Sequence, residues 1–122
     1  MARVLIIDDD TPLRTTLRET LEARGYEVIE ARNGREGLQH YRTVSIDVII
    51  LDMLMPGQEG AETLTMLRRE DPAVKVIAIS GGGGRSGSMD MLHVAALLDA
   101  QRTLRKPFPQ HALLKAVHEL AG

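Results

Sequence analysis

Short apolar runs alternate strictly with longer amphipathic segments along this chain, and that alternation limits the folds open to it. "VLIID" (4–8), "YEVIEA" (26–31), "IDVIIL" (46–51), "VKVIAIS" (74–80) and "RTLR" (102–105) have strand length. Between them the apolar spacing turns helical. Leu13, Leu17 and Leu21 recur every four residues after Thr11-Pro12, with proline suited to a first helical turn and Gly25 to a stop. Further helices are predicted over 33–42 with Asn33 as N-cap, over 61–70 ending before Pro72, over 89–98 capped by Ser88, and over 109–121. The segments "MPGQEG" (55–60) and "GGGGRSG" (81–87) read as loops. Five strand–helix units in this order require crossover connections, hence a doubly wound α/β fold: a mainly parallel sheet with helices on both faces. The unbroken apolar character of the first, third and fourth strands fits strands covered on both sides.

At 122 residues the chain makes one domain, and 43% hydrophobic residues suffice for its core. With no cysteine, disulfides and thiolate metal sites are excluded. The apolar runs are too short to span a membrane and no signal-peptide pattern opens the chain, so a soluble cytoplasmic protein is expected. Fifteen basic against 17 acidic residues leave no basic footprint for nucleic acid. Only Tyr26, Tyr41 and Phe108 are aromatic, which argues against a base-stacking surface.

Ligands of open parallel sheets bind beyond the carboxyl ends of the strands. There the chain places Asp8-Asp9-Asp10 after the first strand, Asp52 after the third, Ser80 and Gly81 after the fourth, and Lys106 after the fifth. Clustered carboxylates call for a hard divalent cation such as Mg²⁺, and a lysine beside them suits a phosphoryl group. Each piece alone has a plainer reading: acids favouring a helix N-terminus, a serine in a turn, a solvated lysine. Their gathering on one sheet edge favours the functional reading. His40, His93, His111 and His118 lack metal-ligand spacing and are expected on helix surfaces. Met89 and Met91 are expected to pack rather than to ligate.

The motifs "IIDDD" (6–10), "ILDMLMPGQEG" (50–60), "AISG" (78–81) and "RKPF" (105–108), in this order, resemble the response-regulator receiver domains of two-component systems, of the single-domain, chemotaxis-receiver type. The resemblance covers essentially residues 1–122. It implies a flavodoxin-like sheet in the order 2-1-3-4-5 with five helices. It implies that Asp52 accepts a phosphoryl group, with Asp8, Asp9, Asp52 and the carbonyl of Leu54 holding Mg²⁺. Ser80, Gly81 and Lys106 would bind the phosphoryl oxygens, and the Lys106–Pro107 peptide would be cis. Met55-Pro56 and Gly60 match the family's loop after the acceptor. The implied donor is a histidine kinase or histidine phosphotransfer protein. Output would pass through contacts with an unidentified protein, from a monomer or weak dimer, without direct nucleic-acid or membrane binding. The chain would catalyse only its own phosphorylation and dephosphorylation. The span from Met1 to Gly122 fits a complete receiver, with a receiver cut from a longer protein as the alternative.

Three features depart from that pattern or compete with it. Relatives carry an aromatic three residues before the lysine, which swings inward as the hydroxyl residue moves; here that position is Thr103, too small to act as such a lever. The run "GGGGRSG" is then either a plain mobile connection or itself the switch, ordered by phosphate. Leu54 and Gly82 stand where polar side chains can orient a hydrolytic water, so slow loss of the phosphoryl group is expected. Asp8 and Asp10 also satisfy the Asp-x-Asp of a haloacid-dehalogenase-like phosphatase, although Pro12 replaces its usual threonine. A degenerate receiver that binds partners without phosphorylation is the other alternative. Asp10 itself is expected to face solvent or to favour the start of the first helix.

Overall fold

A computed structural model of the chain describes residues 1–56, 59–81 and 90–121. The elements follow in the order β1 (Arg3–Ile7), α1 (Thr11–Glu22), β2 (Glu27–Ala31), α2 (Gly34–Thr43), β3 (Val48–Asp52), α3 (Glu59–Glu70), β4 (Val76–Ser80), α4 (Met91–Leu97), β5 (Arg102–Arg105) and α5 (Gln110–Ala121). The strands form one sheet in the order β2-β1-β3-β4-β5, every pair parallel. The expected doubly wound, flavodoxin-like architecture is therefore the observed one.

Side chains alternate across a strand, and here the alternation divides the core in two. Leu5, Ile7, Ile49, Leu51, Val76 and Ala78 face one way and pack with Leu38 of α2, Leu64 and Leu67 of α3, and Leu92 and Ala95 of α4. Val4, Ile6, Val48, Ile50, Ile77 and Ile79 face the other way, against Leu17 and Leu21 of α1 and Leu113, Ala116 and Val117 of α5. Every residue of β3 and β4 is buried, as strands covered on both faces must be. The edge strand β5 has no fully buried residue, which accounts for its weak apolar pattern.

Several boundaries differ from expectation for identifiable reasons. Gly25 stops the first helical segment with φ +88°, a conformation that favours glycine, and Tyr26 N–H returns to Leu21 O at 3.2 Å. β4 starts at Val76 rather than Val74, because the Gln101 side chain replaces a ladder strand there. Its Oε1 accepts from Val76 N–H at 2.8 Å and its Nε2 donates to Val74 O at 2.9 Å. α3 begins two residues early, at Glu59, whose carboxylate accepts from the Gly34 N–H at the start of α2. α4 is shorter than expected and is capped by Asp90, whose Oδ1 accepts from Leu92 N–H at 3.1 Å. The expected cap Ser88, Met89, and the glycine-rich run beyond Gly81 lie outside the described residues. No described helix is long and apolar enough to cross a membrane.

Candidate functional site

The parallel register brings the strand ends to one level. Ile7 lies beside Leu51, Asp52 beside Ile79, and Ser80 beside Arg105. Asp8 therefore emerges next to Asp52, and Ser80 next to the residue before Lys106. Lys106 N–H donates to Ser80 O at 2.9 Å, which fixes the backbone just before its side chain turns to the acids. The Lys106–Pro107 peptide is cis, as expected.

Lys106 Nζ lies 3.2 Å from Asp8 Oδ2 and 3.7 Å from Asp52 Oδ2. Both acids are buried, at 0% and 3% exposure, so one ammonium serves two carboxylates taken out of water. Backbone amides hold the other oxygens. Leu54 N–H donates to Asp52 Oδ1 at 3.0 Å, and Asp10 N–H to Asp8 Oδ1 at 2.9 Å. Burial is the main reason that the Asp52 pKa rises from 3.8 to about 6, and the Asp8 charge adds to the rise. The Leu54 amide and Lys106 hold it down.

Asp8, Asp9 and Asp52 each offer a carboxylate oxygen within 4.8 Å of the others. Three acids against one lysine leave negative charge uncompensated, and an all-oxygen donor set suits a hard divalent ion. The residues present thus fit Mg²⁺. Gly60 permits this edge to close: a Cβ there would meet Met53 Cα at 2.6 Å and Asp52 O at 2.8 Å. Only glycine lets α3 start so near the Asp52 backbone.

Ser80 is fully buried, yet among the described residues its hydroxyl finds only Gly81 O at 3.5 Å, the outer limit of a hydrogen bond. Gly81 packs against the Lys106 stem, where a Cβ would approach Lys106 Cβ to 3.3 Å. Leu54 brings its amide to Asp52 but leaves its side chain 53% exposed; Gly82 lies outside the described residues. Asp10 is set apart from the cluster. It is exposed and caps α1, its Oδ1 accepting from Leu13 N–H at 3.2 Å. The Asp-x-Asp pair therefore does not converge, which removes the sequence argument for a phosphatase. Thr103 is exposed on β5. The four histidines sit on α2, α4 and α5, none of them buried, and Met91 packs against the core.

One participant escaped the sequence reading. Arg14, with a side chain only 12% exposed, donates from Nη1 to Asp8 O at 2.6 Å and from Nε to Glu30 Oε1 at 3.1 Å. Its signal was the pair Arg14 and Arg18, four apart beside the leucine stripe of α1 and facing the same strand residue.

Comparison with known proteins agrees with this geometry. The model of the response regulator receiver domain family matches residues 4–118. Chemotaxis protein CheY of Listeria monocytogenes is 32% identical over 122 residues, covering 99% of both chains. Sporulation initiation phosphotransferase F of Bacillus subtilis is 30% identical over 115 residues, covering 94% of this chain and 90% of that one. A response regulator receiver domain protein from Clostridium thermocellum superposes with a TM-score of 0.87 at 32% identity, covering 99% of this chain and 94% of that one. The response regulator TrrA from Thermotoga maritima, in complex with Mg²⁺-BeF, superposes with a TM-score of 0.83 at 30% identity, covering 98% and 99%. A match this complete, on a sheet whose strand ends gather three acids, a serine and a lysine, means that the chain belongs to the response regulator receiver domain family.

Proposed function

We propose that residues 1–122 act as one phosphoacceptor unit that takes a phosphoryl group onto Asp52 from the phosphohistidine of a histidine kinase or histidine phosphotransfer protein. A carboxylate oxygen of Asp52 forms the new O–P bond as the N–P bond breaks, and the imidazole leaves with the bonding pair. The observation that carries the reading is the placement of Asp52, buried at the end of β3 with Lys106 Nζ 3.7 Å away and two further carboxylates beside it. The Leu54 amide holds one acceptor oxygen and so limits the orientations of the other. Lys106 is placed to move from the carboxylates to the incoming phosphoryl oxygens. The Ser80 hydroxyl, whose long 3.5 Å contact to Gly81 O is easily exchanged, would donate to a phosphoryl oxygen, and the Gly81 amide would add another donor. Asp8, Asp9, Asp52 and the Leu54 carbonyl would hold Mg²⁺, which when bound supplies positive charge beside the phosphoryl group.

The chain turns over no separate substrate in this reading, catalysing only the gain and loss of its own phosphoryl group. It signals from the cytoplasm as a monomer or weak dimer through contacts with a protein target. Loss of the phosphoryl group is slow, because the apolar Leu54 side chain cannot hold a hydrolytic water. Incubation with acetyl phosphate and Mg²⁺, followed by intact-mass measurement, tests the proposal. One phosphoryl adduct, lost in Asp52→Asn, is expected. An unmodified protein would support a receiver that binds without phosphorylation, and multiple turnover of phosphate esters would support a phosphatase.

A further inference from the structure

The Asp8 carboxylate is held by Lys106 and by the Asp10 amide, but its main-chain carbonyl lies one residue past the end of β1. Asp8 is fully buried, and an unpartnered carbonyl there would be costly. Arg14 reaches across from α1 and donates to it at 2.6 Å. The rest of the guanidinium is fixed as well, with Nε on Glu30 Oε1 at 3.1 Å and Nη2 on Thr11 Oγ1 at 3.2 Å. Glu30 passes its second oxygen to Arg18 Nη1 at 2.8 Å, and Arg18 Nε meets Glu22 Oε2 at 3.1 Å. Within this chain of charges Arg14 is the enclosed member, its side chain 12% exposed against 41% for Arg18.

The carbonyl that Arg14 holds belongs to the peptide joining Asp8 to Asp9. A peptide unit is planar, so fixing its C=O direction fixes the direction in which the Asp9 Cα departs. Asp9 needs such a constraint. It is exposed, and its carboxylate makes no hydrogen bond among the described residues, yet that carboxylate lies within 4.8 Å of those of Asp8 and Asp52. The Arg14 charge alone would oppose a cation nearby, but Glu30 pairs with it.

We infer that Arg14 is a positioning residue for the cation site: through the Asp8–Asp9 peptide it aims the Asp9 carboxylate at Asp8 and Asp52, and Glu30 clamps Arg14 in place. The inference rests on the proposed cation-dependent function. Partners that orient metal ligands typically contribute about 10- to 100-fold in affinity, and a loss of that size is expected here.

The test is the Mg²⁺ dissociation constant of the full chain, from amide chemical shifts, alongside the melting temperature of EDTA-treated protein. Arg14→Met should weaken Mg²⁺ binding by about 10- to 100-fold. Arg14→Lys, which can still donate to the Asp8 carbonyl, should recover most of that loss. Arg18→Met, which removes the bonds to Glu22 and to the second Glu30 oxygen but leaves Arg14 on Glu30 Oε1 and on the Asp8 carbonyl, should change the constant by less than Arg14→Met does; an equal loss in the two variants overturns the inference. A purely structural role would lower the melting temperature and leave the affinity of the folded protein intact. Wild-type affinity in Arg14→Met therefore overturns the inference while the function stands. Wild-type protein that binds no Mg²⁺ overturns both. If Arg14→Met does not fold, Glu30→Gln decides: a smaller loss of affinity supports the clamp, and an unchanged constant overturns it.

Discussion

Replacing Asp52 with Asn should stabilise the metal-free protein at neutral pH and bring little gain in acid. Asp52 is 3% exposed, and burial above all raises its pKa from 3.8 to about 6. A carboxyl whose folded pKa exceeds its unfolded value binds its proton more tightly in the folded chain. It therefore adds stability that is complete below the unfolded value and is lost as pH rises through the folded one. Between about pH 4 and about pH 6 that contribution disappears, and above this window the folded state bears the full cost of a buried charge. The gap is worth roughly 3 kcal/mol. That figure already includes the repulsion from Asp8 and the attraction of Lys106 at 3.7 Å. Asn keeps an oxygen for the Leu54 amide but buries an NH2 donor beside the Lys106 ammonium, and a cost of about 1 kcal/mol for that donor leaves a net gain of about 2 kcal/mol. For a domain of this size the gain corresponds to roughly 6–12 °C in Tm. Thermal unfolding followed by circular dichroism in EDTA, at neutral pH and near pH 4, measures it. A variant no more stable than wild type at neutral pH, or equally stabilised at both, would refute the assignment of strain to the buried Asp52 charge.

Mg²⁺ at about 100 times its dissociation constant should stabilise the wild type by about 2.7 kcal/mol, and an unchanged Tm at saturation would count against a formed acidic pocket. Lys106→Met leaves two buried carboxylates without their cation, and should destabilise the protein by about 3 kcal/mol at neutral pH and abolish phosphorylation; wild-type unfolding in urea would contradict this. Gly60→Ala forces a Cβ against the Met53 and Asp52 backbone, and a loss of about 1–3 kcal/mol is expected in the same urea assay. Ser80→Ala removes a hydroxyl with only a 3.5 Å contact, so stability should change by less than about 1 kcal/mol while phosphoryl transfer slows; a large loss of stability would show that the hydroxyl is structural. The phosphorylated protein should keep its phosphoryl group well beyond seconds, measured by the decay of intact-mass adduct.

The fold was legible because its signal is redundant. The β1, β3 and β4 runs are apolar on both faces, and their alternation with the α1, α3 and α5 stripes admits few connections. The strand-end residues were legible for a related reason, since the topology dictates that strand ends meet whatever side chains they carry. What escaped lay in side chains that imitate or extend backbone structure. Gln101 takes the place of a ladder strand beside Val76, Asp90 caps α4, and the Glu59 carboxylate satisfies the start of α2. Such contacts join residues distant in sequence and depend on the final packing, so no local period announces them. Arg14 belongs with these: on α1 it reads as one more charge beside the leucines, and only the fold brings the Asp8 carbonyl under it.

The central claim is that the acidic strand ends form one cation-dependent phosphoacceptor centred on Asp52. Peptide fragmentation of the protein after acetyl phosphate treatment, with Mg²⁺ and with EDTA, tests it most directly. A phosphoryl group on Asp52 alone, formed with Mg²⁺ and absent with EDTA, is expected. A phosphoryl group on another residue, or equal labelling in EDTA, would contradict it.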